Sequence, residues 1–363
     1  MRLGDYIEQC DERAGDSYSV DDVVGISTAK SFIATKANMD GVSLNSYKVV
    51  KPLEFAYVAD TSRRGDKIAL ALNSLEKAVL VSSIYTAFRS IDENVLLPEY
   101  LFMLLNRTEF DRFARFNSWG SARETFDWSE MCRIKIPLPD IDVQREIVEA
   151  YNGLKTIVEQ NEALYKSLLD VCQAEIVNLY KIYRTEPIGL FVDFFREINS
   201  DSSIKLEQGI NISKEFITPQ RSNSDLSKRV IVRKGQIAYC SQLNNENVAV
   251  ALRKGEDCVV SSVYRVLDIK PDKTDELIKE YLFLNLCRGE FGRYVYWASI
   301  GSAYEFLREE NLCEWEIPLP PIEVQKAIVE VFNCAERAKK IATEARERLK
   351  TLCPALVQRA ANS

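Results

Sequence analysis

Ile136-Pro137-Leu138-Pro139-Asp140-Ile141-Asp142-Val143-Gln144 returns in the second half of the chain as Ile317-Pro318-Leu319-Pro320-Pro321-Ile322-Glu323-Val324-Gln325. Proline lacks an amide donor and pushes the residue before it toward extended backbone, so each copy is a stiff connector. A long, highly charged helical pattern follows each one. Working outward at the same offset, Gly120-Ser121-Ala122 answers Gly301-Ser302-Ala303, and Glu99-Tyr100-Leu101-Phe102 answers Glu280-Tyr281-Leu282-Phe283. Arg107, Glu109-Phe110 and Arg112 answer Arg288, Glu290-Phe291 and Arg293. Weaker echoes pair Ser82-Ser83-Ile84-Tyr85 with Ser261-Ser262-Val263-Tyr264 and Leu3-Gly4 with Ile188-Gly189, at shifted offsets that imply loop insertions. The period is too long for a solenoid unit and describes a duplicated domain.

Four segments follow: a mixed α/β head over residues 1–135, a helix over 136–184, a second mixed head over 185–316 and a second helix over 317–363. The fold class is α+β with an internal pseudo-twofold repeat. β-Branched runs predict strands at Val49-Val50, 78–81 and Ile84-Tyr85 in the first head, and at 229–232, 248–250 and Val259-Val260 in the second. Residues 99 to about 113 and 280 to about 294 read as matching amphipathic helices. The long helices are expected over 143–180 and 324–361; at 1.5 Å per residue each spans about 57 Å.

In the second long helix Ile328, Val331, Ala335, Ala338, Ala342, Ala345, Leu349, Leu352 and Leu356 alternate steps of three and four. That is a heptad seam whose alanines allow close helix approach. Ile147, Tyr151, Leu154, Val158, Asn161, Tyr165, Leu168, Cys172 and Leu179 make a less regular seam in the first. Residues 136–184 hold 5 basic and 8 acidic residues, and 317–363 hold 8 and 5. An acidic and a basic helix of equal length are natural antiparallel coiled-coil partners; two unrelated surface helices are the plainer alternative. Pro354 is expected to cut the last turn short.

Histidine is absent, which removes histidine-based triads, acid–base work and metal ligation. The nine cysteines form no C-x-x-C pair and read as reduced thiols of a cytoplasmic protein. No apolar run approaches the ~20 residues of a membrane span. There is no phosphate loop, dinucleotide turn or adenine-methylation motif of the Asp/Asn-Pro-Pro-Tyr/Phe type. Asp140 and Asp142 sit at a helix start, where capping and dipole complementarity explain them. The residues therefore predict a protein that is not an enzyme by itself and holds no metal or cofactor.

A net charge of −7 argues against generic phosphate binding, so any nucleic-acid contact must rest on local patches. The candidates are Arg63, Arg64 and Lys67 beside Gly65; Arg112, Arg115, Ser121 and Arg123 around Trp119; and Arg221, Lys228, Arg229 and Arg233 in the stretch 221–234. Lys30, Lys36, Lys214, Arg293, Ser302, Tyr304 and Arg308 complete the set. Arginine, lysine and short hydroxyl side chains suit phosphates and base edges. Each patch taken singly also reads as a solvated face, and each Gly-Ser-Ala turn as a backbone corner.

A head ending in Gly-Ser-x, then Ile-Pro-Leu-Pro, then a glutamine-bearing helix, all repeated once, resembles the specificity subunit of type I restriction-modification systems. Gly120-Ser121 with residues 136–144, Gly301-Ser302 with 317–325, the run 107–113 and Leu3-Gly4-Asp5-Tyr6 carry the likeness, which spans the chain in order. The resemblance implies two target-recognition domains, each reading half of a bipartite double-stranded DNA site. It also implies antiparallel spacer helices that hold the two domains in opposite orientations, set the unread gap and seat two methyltransferase subunits. S-adenosylmethionine, ATP and Mg²⁺ would belong to the methyltransferase and restriction partners. The rival readings are a coiled-coil protein-interaction scaffold without a DNA role, and an enzyme of unrecognised chemistry.

Overall fold

The strand Phe55–Tyr57 is buried on both faces, and its alternation divides two cores. Phe55 and Tyr57 join Leu70, Leu72 and Phe88 on one side. Ala56 points the other way, with Ala71 and Ala87, where small side chains let a second layer carrying Val50, Val79 and Val81 lie close. The computed structural model describes residues 1–15, 17–60, 67–120, 124–219, 225–242, 248–299 and 306–362, with 351–362 described by backbone alone. Contacts divide it into one unit of residues 1–159 and 342–363 and another of 160–341.

In the first unit an antiparallel sheet runs Ile7–Cys10, Thr86–Ser90, Phe55–Tyr57, Leu70–Leu72. Phe55 faces Phe88 across the ladder with rings stacked at 4.7 Å, a cross-strand pair that pins the register. Lys48–Val50 and Val79–Val81 form the covering ribbon. Ile84-Tyr85, expected as strand, is a turn closed by the Tyr85 amide on Ser82 O at 3.0 Å, with Ile84 exposed. The strand begins at Thr86, so β-branching at Ile84 did not decide the backbone there.

The helix expected over 99–113 is two helices, α1 (Pro98–Leu105) and α2 (Thr108–Phe116). Asn106 closes α1 on Phe102 O at 2.8 Å and Arg107 is extended. The break lets Phe110 and Ala114 return to the core that Leu101 and Leu105 already enter. A short α3 (Trp128–Arg133), unforeseen in the sequence, leads to the proline connector and α4 (Ile141–Ile182).

The second unit repeats the plan. Its sheet runs Val192–Phe195, Tyr264–Ile269, Ile237–Cys240, Val250–Leu252, so the strand expected at 248–250 begins at Val250. Ile237 and Tyr239 enter one core and Ala238 the other, as Phe55, Tyr57 and Ala56 do. The helix expected over 280–294 is again split, into α5 (Lys279–Leu286) and α6 (Gly289–Ala298); α7 (Glu309–Cys313) precedes the second connector and α8 (Ile322–Asn362).

The long helices have 42 and 41 residues. Pro354 does not end α8. In the second unit α4 and α8 run antiparallel: Cys172 Sγ lies 3.7 Å from Ile328 O, while Lys339 Nζ sits 5.1 Å above the Tyr165 ring. The alanine seam is buried at Ala335, Ala338, Ala342 and Ala345. On α4 the buried apolar positions are Ile147, Val158, Cys172, Leu179 and Ile176, the last absent from the expected seam.

Candidate nucleic-acid interface

Two chain segments of the first head leave from one place. Asp60 and Thr125 face each other across an antiparallel bridge, Thr125 also bridges Trp119, and the Phe126 amide donates to Ala59 O at 2.8 Å. Arg63 and Arg64 follow Asp60, while Ser121 and Arg123 lie between Trp119 and Thr125. All four are outside the described residues, yet the flanks of their two segments are tied together. Described flanks far apart in the sequence thus meet.

The second head has the same knot. Gln242 bridges Phe306, and the Leu307 amide donates to Ser241 O at 2.8 Å. The segments that leave here are 243–247 and 300–305, the latter holding Ser302 and Tyr304, also outside the described residues. By topology the counterpart of the Arg63-Arg64 segment is therefore Leu243-Asn244-Asn245-Glu246-Asn247. Sequence patterning had favoured 221–234, because it weighs charge and these asparagines carry none. Asparagine is nonetheless suited to bidentate contact with an adenine edge.

Each head also carries an exposed ring at the same repeat position. Phe116 ends α2 with 78% of its surface open, and its repeat counterpart Trp297 is 70% open near the end of α6. Trp119 is 66% open. Large apolar side chains thus stay in water at duplicated positions of the two heads. Sequence reasoning passed over Phe116 and Trp297; their shared offset was the signal available.

The described cations are less available than their charges imply. Arg112 is exposed and 3.6 Å from Glu109; its counterpart Arg293 is 3.1 Å from Glu290. Both glutamates start a helix, and their own backbone amides, then the arginines, hold these carboxyls below the usual range. Arg115 pairs with Glu124. Arg229 pairs with Glu207 at 2.6 Å, and Arg233 joins Glu197 and Asp257. Lys36, Lys67, Lys228 and Arg308 are exposed; Arg221 lies outside the described residues.

Two candidates are structural. Lys30, with φ +59°, is buried: Nζ bonds Leu105 O at 2.6 Å and pairs with Asp111 at 2.9 Å. Burial lowers its pKa and Asp111 only partly offsets this. Asp111 also accepts the Ile68 amide, so the three join the end of α1 and α2 to the strand region. Lys214, with φ +66°, is half-buried and bonds Val248 O, its pKa likewise lowered by burial. Val248 follows segment 243–247 and Ile68 lies two residues after segment 61–66, so both lysines brace the flanks of these segments from within the fold. Among the described residues no group of three or more His, Cys, Asp or Glu could hold a metal ion, and no helix is long and apolar enough to cross a membrane.

With this geometry in view, residues 195–351 match the family model described as the type I restriction modification DNA specificity domain. That segment is similar to the family's DNA specificity domain. It covers the second head from the end of the strand Val192–Phe195 through most of α8, and the first head repeats its motifs and its topology. The crystal structure of the type I restriction-modification system S subunit from M. genitalium has a similar fold. Its TM-score is 0.58 at 12% identity, covering 99% of this chain and 95% of that one. The HsdS subunit from Thermoanaerobacter tengcongensis aligns with a TM-score of 0.41 at 18% identity, over 99% of this chain and 95% of that one. No curated protein matches the sequence. The architecture expected from the repeat, with two mixed α/β heads and long coiled-coil helices, is the architecture of the specificity-subunit fold.

Proposed function

We propose that this chain is the non-catalytic DNA-specificity subunit of a type I restriction-modification complex, each head reading one half of a bipartite site. The observation that carries the reading is the duplicated knot: in each head the flanks of two segments distant in sequence meet at a bridge. Two copies on one chain suit two unlike half-sites. Arg63, Arg64 and Arg123 in one pair of segments, and Asn244, Asn245, Asn247 and Tyr304 in the other, would make the contacts. The four-segment division read from the sequence remains the working map, with residues 136–184 and 317–363 as spacer helices that set the unread gap and dock two methyltransferase subunits. S-adenosylmethionine would enter with those subunits, and ATP with Mg²⁺ on restriction subunits.

Methylome sequencing of cells expressing the partner methyltransferase with and without this chain tests the proposal. A bipartite adenine-methylation motif that needs the chain is expected. An assembled, active complex that gains no such motif rejects it. Adding four residues to both long helices, about 6 Å of rise, is expected to lengthen the gap with both half-sites unchanged.

A further inference from the structure

Lys30 and Lys214 occupy one position of the repeat. Each precedes the second strand of a matching hairpin, Val24–Ile26 with Phe32–Ala34 and Gly209–Ile210 with Phe216–Ile217. Both have positive φ, +59° and +66°. Their surroundings differ by one charge. Lys30 meets the Asp111 carboxylate at 2.9 Å, but the repeat partner of Asp111 is Gly292, just as Phe110 answers Phe291 and Arg112 answers Arg293. Lys214 donates to Val248 O, and among the described residues it has no carboxylate partner. A half-buried ammonium group held by a neutral oxygen keeps its charge unbalanced.

Lys214 lines a cavity of about 530 Å³ whose described lining lies wholly within the second unit. Leu169 of α4, Phe332 of α8, and Phe216, Leu252 and Phe283 of the head give it apolar walls. Four cations and three acids share the lining. Lys254 pairs with Glu336 at 3.0 Å, and Lys339 pairs with Glu215. Arg253 is buried, with its guanidinium 5.0 Å above the Phe216 ring, and donates to two neutral oxygens, Glu256 O and Gln208 Oε1. Lys214, Lys254 and Glu336 also gather around the Cys287 thiol. Burial pushes that thiol up to about 12, the two ammonium groups oppose the rise, and Glu336 adds to it.

We propose that this cavity binds a small organic carboxylate whose aromatic or aliphatic body rests on the apolar walls. Its charged head gives Lys214 the partner that Asp111 gives Lys30. A singly charged head matches the lining's surplus of one positive charge. Apolar walls with a few converging polar groups, in a volume of this order, are what small-molecule sites offer. A phosphodiester lacks the apolar body that these walls would cover.

The test titrates the full chain with 1-naphthoate, naphthalene-1-carboxamide and dimethyl phosphate, with binding read from broadening of the ligand proton signals. 1-Naphthoate is expected to bind, and the neutral carboxamide of the same shape to bind at least about fivefold more weakly. Lys214→Met should cost naphthoate a similar factor and leave the carboxamide unchanged, a split that misfolding would not produce. Glu336→Gln leaves Lys254 without its acid and should tighten naphthoate about threefold. Lys326→Met, at an exposed position of α8 outside the cavity lining, should change nothing. Absence of naphthoate binding, equal binding of the carboxamide, indifference to Lys214→Met, or no tightening with Glu336→Gln overturns the proposal. So does dimethyl phosphate binding as tightly as naphthoate, because the cations would then serve a nucleic-acid backbone.

Discussion

The buried carboxamide of Gln144 accepts the Leu97 amide at 3.0 Å, tying the first turn of α4 to the residue that opens α1. Its Nε2 donates to Val95 O and Pro139 O, both at 2.8 Å. Gln325 does the same with the Ile278 amide, Glu276 O and Pro320 O, at 3.0, 2.8 and 3.0 Å. One side chain thus fixes head, proline connector and long helix together. Gln144→Leu leaves buried polar groups unpaired and is expected to cost about 2–3 kcal/mol. Urea unfolding should show a lower midpoint with an unchanged slope. A loss below about 0.5 kcal/mol would show the clasp to be dispensable.

Gly4 and Gly189 are held to glycine by close approach rather than by turn geometry. A Cβ on Gly4 would lie 2.6 Å from Cys132 Cβ and 3.1 Å from its Cα; on Gly189 it would lie 2.6 Å from Cys313 Cβ and 3.0 Å from its Sγ. Gly4→Ala is expected to destabilise the first unit by about 1–3 kcal/mol through overpacking. Adding Cys132→Gly should recover only part, because the backbone at position 132 still crowds the new methyl group. Full stability of Gly4→Ala in a thermal melt would mean the α3 segment yields freely.

The features legible in sequence were those that a duplicated chain must spell twice. Ile-Pro-Leu-Pro-x marked where each head meets its helix, and the alanine seam from Ala335 to Ala345 marked a helix partner. The break at Arg107 was illegible because amphipathic spacing continues through it; only the need to return Phe110 to the core ends α1. Lys30 was misleading in a similar way: a lone lysine reads as surface charge, and only the fold reveals Asp111 and Leu105 O around it. The knots at Asp60–Thr125 and Gln242–Phe306 join residues distant in sequence, so no local pattern could align 243–247 with 61–66.

Burial divides the thiols by reactivity. It pushes Cys287 up to about 12, and burial with Glu54 alongside pushes Cys10 up to about 12. At pH 8 the thiolate fraction of such a group is roughly one in ten thousand, and the thiolate is the reactive form. Cys334 is exposed on α8. Iodoacetamide at pH 8, mapped by mass spectrometry, is expected to label Cys334 at least about tenfold faster than Cys10 or Cys287. Urea should abolish the difference. Early labelling of Cys287 in the folded protein would contradict the raised pKa of its half-buried thiol.

Phe116 and Trp297 offer the most direct separation of ring contacts from charge contacts at the two heads. Both are open to solvent, so replacing either by alanine should change stability by no more than about 0.5 kcal/mol. If these rings meet bases or thymine methyl groups, Phe116→Ala should weaken binding to DNA bearing the first half-site roughly tenfold. Trp297→Ala should act on the second half-site in the same way. Neither removes a phosphate contact, so the dependence of affinity on salt should keep its slope, whereas Arg112→Ala should reduce that slope by about one contact. Titrations of the assembled complex on DNAs with one half-site scrambled give both quantities. Equal loss on both half-sites, or a changed salt slope with Phe116→Ala, would remove the rings from sequence reading.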